Sequence, residues 1–77
     1  MKRWNYGSKY GLPCLVENEA IDKFLGEIVE VCKKHGLSLS HEDIGGAFKV
    51  EEFSESNIKW LLEAADATKS AHLKKLD

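Results

Sequence analysis

Apolar residues recur at helical spacing early in the chain: Ile21, Phe24, Leu25, Ile28, Val31 and Cys32. That spacing predicts an amphipathic helix with these side chains inward. Asp22, Lys23, Glu27, Glu30 and Lys34 fall on the opposite face. Asn18 can cap the first turn, because its side-chain oxygen accepts from a free backbone N–H. Glu19 suits the positive end of the helix dipole, and Lys33, Lys34 and His35 suit the negative end. Gly36 then supplies the left-handed residue that stops the helix, with Leu37 packing back near Cys32.

The period changes after Gly36. Leu37-Ser38-Leu39-Ser40-His41 and Phe48-Lys49-Val50-Glu51 alternate apolar and polar residues, as half-buried strands do. Glu42-Asp43-Ile44-Gly45-Gly46 between them is a turn-rich loop of hairpin length. The glycine pair supplies positive φ for the turn. Leu37, Leu39, Phe48 and Val50 are expected to face the helices. An isolated hairpin is marginal, so this one needs the helices, a strand from the arm or a second subunit.

A second helix starts after Ser54, a natural N-cap, with Phe53 and Ile58 as a hydrophobic staple. Ile58, Leu61, Leu62 and Ala65 form its expected inner stripe, with Trp60 and Ala64 to one side. The tail from Ser70 to Asp77 extends this helix and frays. Residues 1–16 read as an arm with turn signals at Asn5, Gly7, Ser8, Gly11 and Pro13, and a short strand around Cys14 to Val16. The expected fold is a small two-layer α+β domain, a β-hairpin packed on two helices. The order is arm, α, β, β, α, with residues 1–77 as one domain, 1–16 as the arm and 17–77 as the body.

Length and charge narrow the function classes. A 77-residue domain buries only about 60% of the surface of its unfolded chain, so self-association helps it. There is little room for a deep catalytic cleft. No apolar run reaches the length of a membrane span, and Met1 to Tyr10 lacks the apolar core of a signal peptide. A cytoplasmic protein is expected, with Cys14 and Cys32 as buried thiols. The net charge of −2 is uneven: Lys2, Arg3 and Lys9 make residues 1–16 basic, and residues 17–77 carry eight lysines against thirteen acids. An acidic body disfavours nucleic acid. Only the arm could bind it, where Trp4, Tyr6 and Tyr10 stand among cations and could stack on bases.

Candidate chemistry is sparse. His41, Glu42 and Asp43 are the densest polar group. In extended backbone His41 and Asp43 share a side and Glu42 takes the other. A metal needs three or four converging ligands, and neither His35 nor His72 is brought in by spacing. No nucleophile, base and oxyanion donor can be assembled, so no catalytic residue, cofactor or metal is expected. Gly45-Gly46 lacks the lysine and the following helix of a phosphate loop. A domain that binds or sequesters a small molecule or a metal at His41, Glu42 and Asp43 stays open as an alternative. Trp60 is either a core residue between helix and hairpin or an interface anchor. Glu51, Glu52, Glu55 and Glu63 can form an acidic face that meets a basic partner.

One resemblance runs through residues 19–66. Cys32-Lys33-Lys34, Gly36 to Asp43, Gly46-Ala47-Phe48 and Asn57-Ile58-Lys59-Trp60-Leu61 resemble a pattern in small, functionally uncharacterised proteins of bacteriophages and prophages of Gram-positive bacteria. That group often carries a histidine just before Gly-Ala-Phe, where this chain has Gly45. The resemblance implies a phage-type accessory role. The expected function is binding and modulation, by inhibition, of a bacterial host protein such as a defence or regulatory factor, inside the host cytoplasm and with a homodimer in view. Trp4, Tyr6, Glu51, Glu52, Glu55 and Trp60 are the expected contact residues.

Overall fold

The computed structural model describes residues 1–5, 14–68 and 74–75. The fold is α+β, with two helices and two small antiparallel sheets. In order the elements are β1 (Lys2–Asn5), β2 (Cys14–Glu17), α1 (Glu19–His35), β3 (Leu37–His41), β4 (Phe48–Glu52), α2 (Glu55–Leu62) and β5 (Lys74–Lys75). The expected order is therefore corrected at both ends. The arm supplies β1 beside the strand expected around Cys14, here β2, and Lys74–Lys75 of the tail form β5, while α2 ends at Leu62. Two units separate by contact: Met1–Phe24 with Ala64–Asp77, and Leu25–Glu63.

In the first unit β1 pairs antiparallel with β2, placing Arg3 opposite Val16 and Trp4 opposite Leu15. Val16 and Glu17 pair in turn with Lys75 and Lys74. β1 alternates, but its buried residues are Arg3 and Asn5, and Trp4 is left exposed. Buried polar groups need partners. Arg3 Nη1 donates to the Ala64 carbonyl at 2.8 Å, and Nη2 donates to Asp22 Oδ1 at 2.7 Å. With its side chain 1% exposed, Arg3 is spent inside the unit. That removes a cation from the nucleic-acid reading of the arm. Tyr6, Lys9 and Tyr10 lie outside the described residues.

Asn18 does two jobs here. Its Oδ1 accepts from the Ala20 N–H at 3.1 Å, the predicted N-cap of α1. Its Nδ2 donates to Asp66 Oδ2 at 3.1 Å. Asp66 Oδ1 accepts from the Thr68 N–H at 2.7 Å and from the Thr68 hydroxyl at 2.6 Å. The Asp66 N–H donates to the Trp4 carbonyl at 2.7 Å, and Asn5 and Asp66 form a parallel bridge. Asp66 is wholly buried, as are Asn5 and Asn18 to within a percent. Among the described residues Val16 is the one buried apolar side chain of this unit. Among the described residues of this unit, a hydrogen-bonded polar centre thus accompanies the single buried apolar side chain.

Burial pushes the Asp66 carboxyl upward, but the Thr68 hydroxyl and N–H and the Asn18 amide outweigh it and hold the group below the ordinary value of 3.8. Asp22 is lowered too, chiefly by the chain's terminal amine at 2.8 Å and then by Arg3. A depressed native pKa means the unfolded chain takes up its proton first as pH falls. The stability from Asp66 is therefore full above the ordinary aspartate range and is lost as pH drops through the native value. Urea midpoints taken from about pH 6 to about pH 2 should fall steeply below about pH 4, and Asp66→Asn should flatten part of that fall.

The second unit holds the apolar cluster. Val29 and Cys32 of α1 meet Ile58 of α2, with Ile28, Phe53, Leu61 and Leu62 packed round them. Cys32 is a buried free thiol, as expected; the Cys14 side chain lies outside the described residues. Leu25, Val29 and Cys32 are the buried stripe of α1, while Phe24 and Val31 are exposed. The predicted inner face included Phe24 and Val31 and omitted Val29, so it was displaced round the helix from the buried stripe. A residue one position earlier lies about 100° round the helix, and the cover is too small to reach it. Gly36 stops α1 with φ +68°, as predicted. Ser54 caps α2, its Oγ accepting from the Asn57 N–H at 3.4 Å. Glu63 ends α2, so Ala65 lies past the helix and is exposed. Ser70 to Leu73 lie outside the described residues.

Candidate functional site: the face of the β3–β4 hairpin

β3 and β4 pair antiparallel with Leu37 opposite Glu52, Ser38 opposite Glu51, Leu39 opposite Val50, Ser40 opposite Lys49 and His41 opposite Phe48. Opposed residues share a sheet face. Leu37, Leu39, Phe48 and Val50 therefore lie on one face, as predicted. The correction is which face is covered. Ser38 is buried to 1%, while Phe48 is 71% exposed, Val50 60% and Leu37 44%.

The reason lies in how the chain leaves β4. Alternation puts Phe53 on the same face as Glu51 and Ser38. Phe53 packs against the cluster that contains Ile58, and its N–H donates to the Gly36 carbonyl at 2.8 Å. The staple thus ties α2 to the serine face. Ser38 can bear this burial because it is satisfied on both counts. Its hydroxyl donates to the Glu52 carbonyl at 2.7 Å and accepts from Asn57 Nδ2 at 3.0 Å. Asn57 Nδ2 also reaches Glu51 Oε1 at 3.3 Å, and the Ser40 hydroxyl donates to the same oxygen. The Ser40 bond, and after it Asn57, lowers the Glu51 pKa. Ser38→Ala removes the centre of this network and should cost about 1–2 kcal/mol in a urea titration. An unchanged midpoint would mean the serine face is held by apolar packing alone.

Asn57 stands beside Ser38, and one turn later Trp60 stands beside His41. The two rings stack with centroids 5.0 Å apart and planes 22° from parallel. Trp60 remains 40% exposed, so it is neither a closed core residue nor a free one. His41 Nδ1 lies 3.4 Å from Asp43 Oδ1, with both side chains largely in solvent. Glu42 is exposed and spends its N–H on the Ala47 carbonyl at 2.7 Å, closing the loop in which Gly45 and Gly46 have φ +90° and +73°. The glycines therefore do the turn work predicted of them. Among the described residues no three histidine, cysteine or acidic side chains gather as a metal site.

The hairpin unit gathers several of the expected contact residues: Glu51 and Glu52 on β4, Glu55 in the first turn of α2, and Trp60. Glu51, Glu52 and Glu55 are all exposed, and Glu51 alone of the three is tied into the serine network. Trp4 belongs to the first unit, and Tyr6 lies outside the described residues. The residues that sequence reasoning missed as surface are Leu37, Phe48 and Val50. No helix among the described residues is long and apolar enough to cross a membrane. No family model, curated protein or solved structure matches the chain.

Proposed function

We propose that the chain is a non-enzymatic, phage-type accessory protein that binds and modulates a bacterial host protein through the β3–β4 hairpin. The observation that carries this reading is the exposure of Leu37, Phe48 and Val50 together on one sheet face. Contiguous exposed apolar side chains mark interaction surfaces. Trp60, half-exposed and stacked on His41, the residue opposite Phe48, is the residue type most often found at binding hot spots. Glu52 shares that face by register, and Glu55 lies near it in the chain, so the partner best suited has an apolar patch with basic residues at its rim. Phage origin and the inhibitory sense rest on the sequence resemblance alone.

The test is capture from nuclease-treated bacterial lysate by tagged protein, run beside a Phe48→Ser, Val50→Thr double variant. A protein enriched by the parent chain and lost with the folded variant supports the reading. Equal capture by both ends the role of this face. A ligand-binding reading at His41, Glu42 and Asp43 has the His41–Asp43 approach in its favour, and native mass spectrometry of untagged protein tests it.

A further inference from the structure

The β3–β4 sheet has two strands, and α2 packs along β3. β4 therefore presents an open edge, and all five of its residues are exposed. An open edge is a template for another strand. Which backbone groups it offers follows from the ladder. The Glu42 N–H bonds to the Ala47 carbonyl and the Phe53 N–H bonds to the Gly36 carbonyl. Both bonds keep the register that sets Ser38 opposite Glu51 and Ser40 opposite Lys49. In an antiparallel pair the hydrogen-bonded residues alternate. Ala47, Lys49, Glu51 and Phe53 thus turn their backbone groups to β3. Phe48 and Val50, and the N–H of Glu52, turn theirs outward; the Glu52 carbonyl accepts from Ser38.

We propose that β4 pairs antiparallel with β4 of a second copy of this chain, about a two-fold axis at Val50, making one continuous four-stranded sheet. Outward residues must meet outward residues, which leaves three central registers. Centring on Lys49 sets lysine against lysine. Centring on Glu51 sets glutamate against glutamate. Centring on Val50 sets Lys49 of each copy against Glu51 of the other, and Phe48 against Glu52. The sequence Phe48-Lys49-Val50-Glu51-Glu52 is thus self-complementary in charge in one register that the backbone allows.

In that register each Val50 N–H donates to the Val50 carbonyl of the other copy. Each Glu52 N–H donates to the opposite Phe48 carbonyl. The Lys49–Glu51 pairs fall at non-hydrogen-bonded positions, where side chains stand closer. Ser40 and Asn57 both hold Glu51 by Oε1, which leaves Oε2 as the oxygen an incoming lysine would meet. On the other face Leu39, Val50 and their copies line up in one apolar row. A lone lysine on an edge strand commonly guards against pairing; here the glutamate two residues on converts that guard into a choice of register.

The experiment is sedimentation equilibrium of the full chain from micromolar to millimolar concentration, with circular dichroism to check folding. The parent should be a dimer at the upper end. Val50→Pro removes an N–H that β3 does not use, so it should keep the fold and stay monomeric throughout. Lys49→Glu and Glu51→Lys should each weaken self-pairing by about tenfold. Mixed together they should form a heterodimer tighter than either homodimer, because both charge pairs then match. A parent that stays monomeric, or a dimer indifferent to Val50→Pro, overturns the proposal. Binding of a different protein by monomeric Lys49→Glu, which leaves Leu37, Phe48 and Val50 intact, would leave the proposed function standing apart from it.

Discussion

Replacing Asp66 with alanine is expected to lower stability by about 2 kcal/mol, because it removes a buried charged acceptor shared by the buried Asn18 amide and by Thr68. Thr68 loses the acceptor of its N–H and its hydroxyl, and Asn18 loses the acceptor at 3.1 Å from its Nδ2. Asn18 cannot recover by flipping its amide, since its Oδ1 is committed to the Ala20 N–H. For the same reason Asp66→Asn should fall between parent and alanine: one oxygen still accepts from Thr68, but its new NH2 group faces the Asn18 NH2 group. A chain of this length has roughly 8 kcal/mol in all, so the alanine loss is large. It should appear in urea midpoints and in faster hydrogen exchange of the Asp66 amide, which bonds to Trp4. Glu63→Ala, exposed at the end of α2, is the control and should change little. A shift below about 1 kcal/mol for Asp66→Ala would mean that this centre admits water and that Val16 and the β1–β2 ladder carry the unit.

The contrast between the units explains what could be read from sequence. Both ends of α1 and the start of α2 were legible to the residue, because capping is local: Asn18, Gly36 and Ser54 act on backbone within a turn of themselves; the end of α2 at Glu63, which carries no such signal, was not. The strands β3 and β4 were legible from alternation for the same reason. Which face of the hairpin would be covered was not, since alternation gives two faces without saying which is buried. A clue was present in Phe53. It is an odd step from Val50 and an even step from Glu51, so a staple that uses Phe53 must draw α2 to the serine side. Four apolar residues on the other face outnumber Phe53, but the covalent connection of Phe53 to α2 decides which face is covered. β1 and β5 were hidden for a different reason. Their burial falls on Arg3, Asn5 and Asp66, whose partners Asp22, Ala64, Thr68 and Trp4 lie mostly far along the chain. No local pattern announces a polar centre.

That misread face leads to the second large effect. Phe48→Ser with Val50→Thr should leave thermal stability within about 0.5 kcal/mol, because exposed side chains away from caps and networks contribute little. Threonine keeps the β-branched shape that strands favour. Binding to the captured host protein should instead fall about a hundredfold or more, as truncating apolar anchors at the centre of an interface typically costs upward of 2 kcal/mol each. Glu52→Lys, at the polar end of the same face, should act mainly on the association rate and only at low salt. Surface plasmon resonance against the captured protein separates the two. If the hairpin is the binding face, the double variant shortens residence time at every salt concentration and Glu52→Lys does not. If the double variant melts early instead, Phe48 and Val50 are structural despite their exposure, and the binding surface must be sought away from this face, at Trp60 and the exposed acid Glu55 of α2.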